Sequence, residues 1–210
     1  MFLATAIETL DHAWASVMHG MQSPFFNVFF KYFSVLAEHG LIILAISFLL
    51  FLFKKTRIQG STIFFAVAIS IVLGYLAKFV VARPRPFWDT QTDYYEWWLA
   101  AGADYSSSYS CPSGHACVAF AFATATLMTF DKRYGWTGFV FALVIGVART
   151  YLMRHYLTDV LLGLVFGLVS GVLGYFAVAA MKSFIEKRPE GKFSNFLLNF
   201  DLKSVFEKKQ

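Results

Sequence analysis

Five stretches of this chain hold no charged side chain at all: 41–53, 61–77, 117–130, 134–148 and 160–181. Each is long enough to supply most of a membrane crossing, and runs of that kind restrict a chain to helices that satisfy their own backbone hydrogen bonds in lipid. The rest of the composition agrees. Hydrophobic residues make up 58% of the chain and charged residues 15%, outside the balance of soluble domains. The expected fold class is all-α, a polytopic transmembrane helical bundle. Residues 25–38 leave the count of spans open at five or six. Their polar positions Asn27, Lys31, Ser34 and Glu38 form a narrow stripe on a Phe-rich helix, fitting either a sixth span or a second interfacial helix.

The ends of the chain read differently. In 2–21, Leu3, Ala6, Ile7, Leu10, Ala13, Trp14, Val17, Met18 and Met21 recur at helical spacing, with Glu8, Asp11, His12 and His19 elsewhere, which predicts an N-terminal amphipathic helix lying in the interface. The first twenty residues contain no Lys or Arg, so a cleaved secretory leader is not expected. After the last span, Phe193, Phe196, Leu197 and Phe200 recur beside Lys203, Lys208 and Lys209. The reading is one membrane domain over 1–185 and a basic amphipathic tail over 186–210. Cys111 and Cys117 lie six positions apart at the start of a predicted helix and suggest no bridge.

Charge placement gives a sidedness. Lys54, Lys55 and Arg57, then Lys132 and Arg133, then Lys182, Lys187, Arg188 and Lys192 fall on one side if each run crosses once. The positive-inside rule makes that side, and the C-terminus, cytoplasmic. Lys78, His115, Arg149, His155 and Asp159 then all reach the opposite face at one depth, from four separate helix ends. Ionisable groups at helix ends in a membrane mark functional sites, and snorkelling alone would scatter them over both faces.

Their chemistry is specific. His155 and Asp159 are four residues apart on one helix face, so the carboxylate can take the imidazole's N–H and leave the other nitrogen free to attack. In SCPSGHA, Pro112 stops the preceding segment, Ser113 is placed to cap a helix, Gly114 removes bulk from its first turn, and the free N–H groups there suit an anion. His115 can protonate a leaving oxygen. Lys78, Arg85 and Arg149 add three cations suited to phosphoryl oxygens. The inventory points to phosphoryl transfer without metal or other cofactor, since no carboxylate or His/Cys ligand cluster stands out. Nothing in it points to nucleic acid.

Lys78, six residues, then Arg85-Pro86; Pro112-Ser113-Gly114-His115; and Arg149, five residues, His155, three residues, Asp159 together resemble the three-part signature of the type 2 phosphatidic-acid phosphatase superfamily. The match covers 78–159. The family includes lipid phosphate, undecaprenyl-diphosphate, phosphatidylglycerophosphate and lipid A phosphatases, glucose-6-phosphatase and soluble vanadium haloperoxidases. The resemblance implies a helical bundle with its site at the outer membrane face and a phosphohistidine intermediate. It makes His155 the nucleophile, Asp159 its orienting partner and His115 the general acid, with Lys78, Arg85, Ser113, Gly114 and Arg149 on the phosphoryl oxygens. Ala148 stands where the family usually has Ser, and Arg154 lies outside the signature.

The expectation is therefore an integral membrane lipid phosphatase of a bacterial cytoplasmic membrane, facing outward and acting on a lipid monoester or diphosphate such as undecaprenyl diphosphate, phosphatidylglycerophosphate or phosphatidate. Its partners are the lipid substrate and the surrounding membrane lipids. Two other readings use the same residues. A transporter or channel should carry charges at several depths rather than one; a haloperoxidase would hold vanadate in the same cradle. The aromatic stretch 94–98 fits either a membrane-interface belt or a lip over the lipid headgroup.

Overall fold

The computed structural model describes residues 2–187 together with 191, 194 and 200–202, and these form helices and no strand. The order is α1 (Phe2–Gly20), α2 (Pro24–Val35), a 3-10 turn (Glu38–Gly40), α3 (Leu41–Leu52), α4 (Arg57–Val81), a 3-10 turn (Pro86–Trp88), α5 (Asp93–Ala101), α6 (Gly114–Thr129), α7 (Lys132–Gly135), α8 (Thr137–Tyr151) and α9 (Leu157–Glu186). The all-α expectation is met. The basic helix expected over 186–210 falls almost wholly outside the described residues.

Among the described residues, three segments are long and apolar enough to cross a membrane: 24–52, α4 and α9. Helices α6 and α8, at 16 and 15 residues, are shorter than the usual ~20-residue span. Large apolar side chains cover the outward faces, from Phe48 and Phe64 to Phe176, and Val80 is 86% exposed. Such a surface is stable against hydrocarbon and not against water, and the chain is an integral membrane protein.

The structure shows what the polar stripe at 25–38 meets. Helices α2 and α3 follow one apolar path, but it is broken where His39 and Gly40 adopt φ of 49° and 69°, a left-handed backbone that cannot propagate an α-helix. The polar stripe faces protein. Asn27 donates to the Ala100 carbonyl at 2.9 Å and accepts from the Tyr151 hydroxyl at 2.7 Å, while Lys31 pairs with Asp104 at 2.9 Å. Ser34 is buried and accepts from Arg149 at 3.2 Å. These bonds carry α2 along α8 and leave the kink beside the site.

At the centre stands α6, buried from Ala116 to Ala121 and again from Ala123 to Thr126, with α4, α8 and α9 packed around it. Its small side chains admit close neighbours. Along α9, Gly163, Gly167 and Gly171 recur every four residues and face α6. A Cβ on Gly167 would lie 2.5 Å from the Phe120 Cβ, and one on Gly171 would lie 2.3 Å from the Thr124 Cβ. The two backbones thus approach too closely to admit even a Cβ at these positions, held by dispersion contacts that a larger residue would forbid. At the top of this seam the Ser113 N–H donates to the Asp159 carbonyl at 3.0 Å, fixing the start of α6 against the start of α9.

Candidate active site

Three helix ends and three connections meet around a cavity of about 490 Å³. Lys78 comes from the last turn of α4, Arg85 and Tyr105–Ser108 from the connection to α6, and Gly114 and His115 from the first turn of α6. Arg149 comes from the end of α8, Arg154 and His155 from the turn before α9, and Glu38 and His39 from the kink between α2 and α3. A smaller cavity of about 150 Å³ shares Glu38, His115, Arg149 and Arg154 with it and adds Lys31, Ser34 and Asp104.

Each cation is held by local geometry. Helix α4 ends at Ala82, whose positive φ breaks it ahead of Pro84, so the RPRP segment leaves in an extended path. That path puts Arg85 almost fully inside. Its Nε donates to the Ser108 carbonyl at 2.6 Å and its two terminal nitrogens to the Ser108 hydroxyl at 2.9 Å and the Arg154 carbonyl at 2.8 Å. Burial, then the nearby Arg154, lower the Arg85 pKa to about 10, which leaves it charged at neutral pH. Lys78 donates to the Tyr109 carbonyl, stitching the same connection to α4. Arg149 is 1% exposed with Ser34 as its hydrogen-bond partner, and its Nε has none. Ala148 carries no hydroxyl, and the one that meets Arg149 belongs to Ser34 of α2.

His155 is buried in a tight turn closed by its own N–H, and that of Arg154, on the Arg149 carbonyl, both at 3.2 Å. Its Nε2 lies 3.3 Å from an Arg85 nitrogen. Arginine has no acceptor, so Nε2 accepts and the proton belongs on Nδ1. Nδ1 faces Asp159 Oδ2, but at 3.6 Å, and Nδ1 has no hydrogen-bond partner. The expected carboxylate–imidazole hydrogen bond is thus a longer electrostatic contact. The reason is that Asp159 is engaged elsewhere: Oδ1 accepts from Arg83 at 2.9 Å and Oδ2 from the Tyr156 N–H at 3.0 Å. Burial, then the positive charges of Arg85, Arg149 and Lys78, hold the His155 pKa well below the ordinary imidazole value.

The start of α6 also differs from expectation. Ser113 occupies the N-cap position but makes no capping bond; its hydroxyl is buried without a partner, and it does not line the cavity. Gly114 does line it, and a Cβ there would meet nothing within 4 Å, so the glycine leaves cavity space open and relieves no clash.

Sequence reasoning missed other members. Arg83, noted only as part of RPRP, binds both Asp159 and Asp11 of α1 and lies 3.7 Å over the Tyr156 ring. Burial lowers the Arg83 pKa, but the two carboxylates outweigh it and raise the value overall. Asp11, placed with the polar residues of a surface helix, is buried. Arg154, left without a role, lines both cavities with its Nε unpartnered. The aromatic stretch is not a cavity lip. Trp97 stacks on His19 at 5.0 Å and Trp98 on Phe87 at 4.6 Å, so both rings fasten α5 to its neighbours.

Residues 59–182 match the family model described as the PAP2 superfamily. Over 119 residues the chain is 34% identical to the undecaprenyl-diphosphatase of Sulfolobus acidocaldarius, covering 57% of this chain and 55% of that one. It is 32% identical over 132 residues to the lipid A 1-phosphatase of Rhizobium johnstonii, covering 63% and 53%. The match thus spans about half the length of these curated relatives. The fold is similar to the crystal structure of a transmembrane PAP2-type phosphatidylglycerolphosphate phosphatase from Bacillus subtilis, with a TM-score of 0.62, 24% identity, and 89% and 90% of the two chains covered. With more than half of its length, signature included, inside that family model, the chain belongs to the PAP2 superfamily.

Proposed function

We propose that this protein is a lipid phosphate phosphatase working through a phosphohistidine, with its site on the outer face of a bacterial cytoplasmic membrane. The observation that carries the reading is the gathering of Lys78, Arg85, His115, Arg149 and His155 around one cavity. Three fixed cations and the N–H groups at the start of α6 suit the equatorial oxygens of a transferred phosphoryl group. His155 Nε2 attacks phosphorus, the P–O bond to the lipid breaks, and the departing oxygen takes the His115 proton. Water then attacks the phosphohistidine, gives its proton to His115, and releases inorganic phosphate and free His155.

The relatives' activities, undecaprenyl-diphosphate and lipid A phosphate hydrolysis, support a lipid anchor on the substrate. Monoester and diphosphate both fit the phosphoryl site; Arg154, a fourth cation beyond Lys78, Arg85 and Arg149, favours a substrate with a second anionic group. Lys78, Arg85 and Arg149 supply at the cavity the positive charge that a metal ion would otherwise bring to the phosphoryl oxygens, which supports a metal-independent route. Charge at one end of the bundle favours the enzyme over a permeation path, which would need charged groups at several depths, whereas 61–77, 117–130 and 160–181 carry none.

The test is phosphate release by purified protein from a panel of polyprenyl diphosphate, polyprenyl phosphate, phosphatidylglycerophosphate and phosphatidate. Wild type should turn over at least one of them in EDTA as fast as without it. His155→Ala should release nothing. Wild type and His155→Ala behaving alike on every substrate would end the phosphatase reading.

A further inference from the structure

We propose that Asp11, on α1 and outside the segment shared with the family, is a positioning residue that acts on His155 through Arg83 and Asp159. The inference rests on the phosphatase reading. Asp11 is 1% exposed although α1 lies on the outside of the bundle. Both of its oxygens are used. Oδ1 accepts from the Thr158 N–H at 2.9 Å; Oδ2 accepts from the Thr158 hydroxyl at 2.7 Å and from Arg83 at 2.8 Å. Arg83 continues the chain, donating from its other terminal nitrogen to Asp159 Oδ1 at 2.9 Å and to the Thr158 hydroxyl at 2.8 Å. Asp159 Oδ2 then faces His155 Nδ1 at 3.6 Å.

Two consequences follow from charge and geometry. First, Thr158 sits in the first turn of α9, so Asp11 is a cap supplied from another helix, and its negative charge suits that positive end. The Asp11 contact therefore fixes the turn that presents His155. Second, a half-buried guanidinium facing only Asp159 would cancel much of that carboxylate's field at the imidazole. With Asp11 sharing Arg83, two carboxylates face one guanidinium, and the cluster keeps a net negative charge behind His155. That charge matters when Nε2 attacks phosphorus and the ring becomes positive, since His155 is otherwise surrounded by cations. A neutral hydrogen-bonding residue could hold Thr158; it could not supply the charge.

The experiment uses the full-length protein with Asp11→Asn, which keeps the shape and most of the bonds and removes the charge, and Asp11→Glu, which restores the charge. On whichever lipid phosphate wild type turns over, Asp11→Asn should lower kcat ten- to hundredfold with KM within about twofold. Asp11→Glu should recover part of the loss. The acid limb of kcat/KM should move to lower pH in Asp11→Asn, because the groups facing His155 are otherwise unchanged: Lys78 on α4, Arg85 before α5, His115 on α6, Arg149 on α8 and Asp159 on α9. In a cycle with Arg83→Gln the two losses should fall short of additivity. Wild-type kcat and an unmoved acid limb in Asp11→Asn would overturn the proposal. So would a loss that only follows a lower melting temperature, with kcat and KM affected alike. Turnover by wild type but not by His155→Ala keeps the phosphatase reading intact in either case. No turnover by wild type on any substrate removes both.

Discussion

At the scale of single residues, the site is governed by how charge is distributed around one imidazole. His155 is buried and its pKa lies well below the ordinary value, so the neutral form, the one that attacks phosphorus in the proposed reaction, persists as pH falls through the normal histidine range and is lost only below it. After correction for the substrate's own ionisation, the acid limb of kcat/KM should have its midpoint below about 6.5; a midpoint at or above that value would contradict the charge environment described. Arg154 gives a second prediction. It borders both cavities with an unpartnered Nε, and burial lowers its pKa while Asp104 and Glu38 oppose the shift. Replacing it with Gln should cost at least about tenfold in kcat/KM, or about 1.4 kcal/mol, on a polyprenyl diphosphate, and less than about threefold on the matching monophosphate. Equal losses would make Arg154 a general phosphate contact. The signature residues were legible because their order and spacing carry them. Asp11 was less so, yet a signal existed: it lies four and seven residues before Ala15 and Met18, both buried, so helical spacing sets a carboxylate within the apolar face.

Among the elements, the seam between α6 and α9 decides the geometry. Gly167→Ala would put a Cβ 2.8 Å from the Cys117 carbonyl oxygen and 2.5 Å from the Phe120 Cβ, both on α6. The helices would have to part, at a cost of roughly 1–3 kcal/mol. A lower melting temperature in detergent together with a lower kcat is expected; an unchanged melting temperature would mean the seam yields elsewhere. That helices would form was readable from the uncharged runs. The left-handed breaks at His39, Ala82 and Met153 were not, since tertiary contacts impose that backbone on residues that seldom adopt it. Trp97 and Trp98 were read from composition as interface or lip, while their stacking on His19 and Phe87 depends on neighbours distant in sequence or in another element.

For the molecule as a whole, the runs and the basic clusters fixed class and helix direction, because hydrophobicity and charge act over whole segments. Helices α4 and α8 end at the site and α6 and α9 begin there, which is the antiparallel arrangement that charge placement implied. Spatial closure was beyond reach: nothing local says that the α2–α3 kink walls the cavity or that α1 docks by a carboxylate. The glycine seam adds something to this picture. A contact made of backbone has no rotamers, so it serves as a datum surface from which His115 and Asp159 are both measured. Parts located from a shared datum do not accumulate the tolerances of the chain between them. The walls built from α2, the α2–α3 kink and the α4–α6 connection can then change in shape, and with them, under the proposed function, the lipid accepted, while the spacing of His115 and Asp159 stays where the seam sets it.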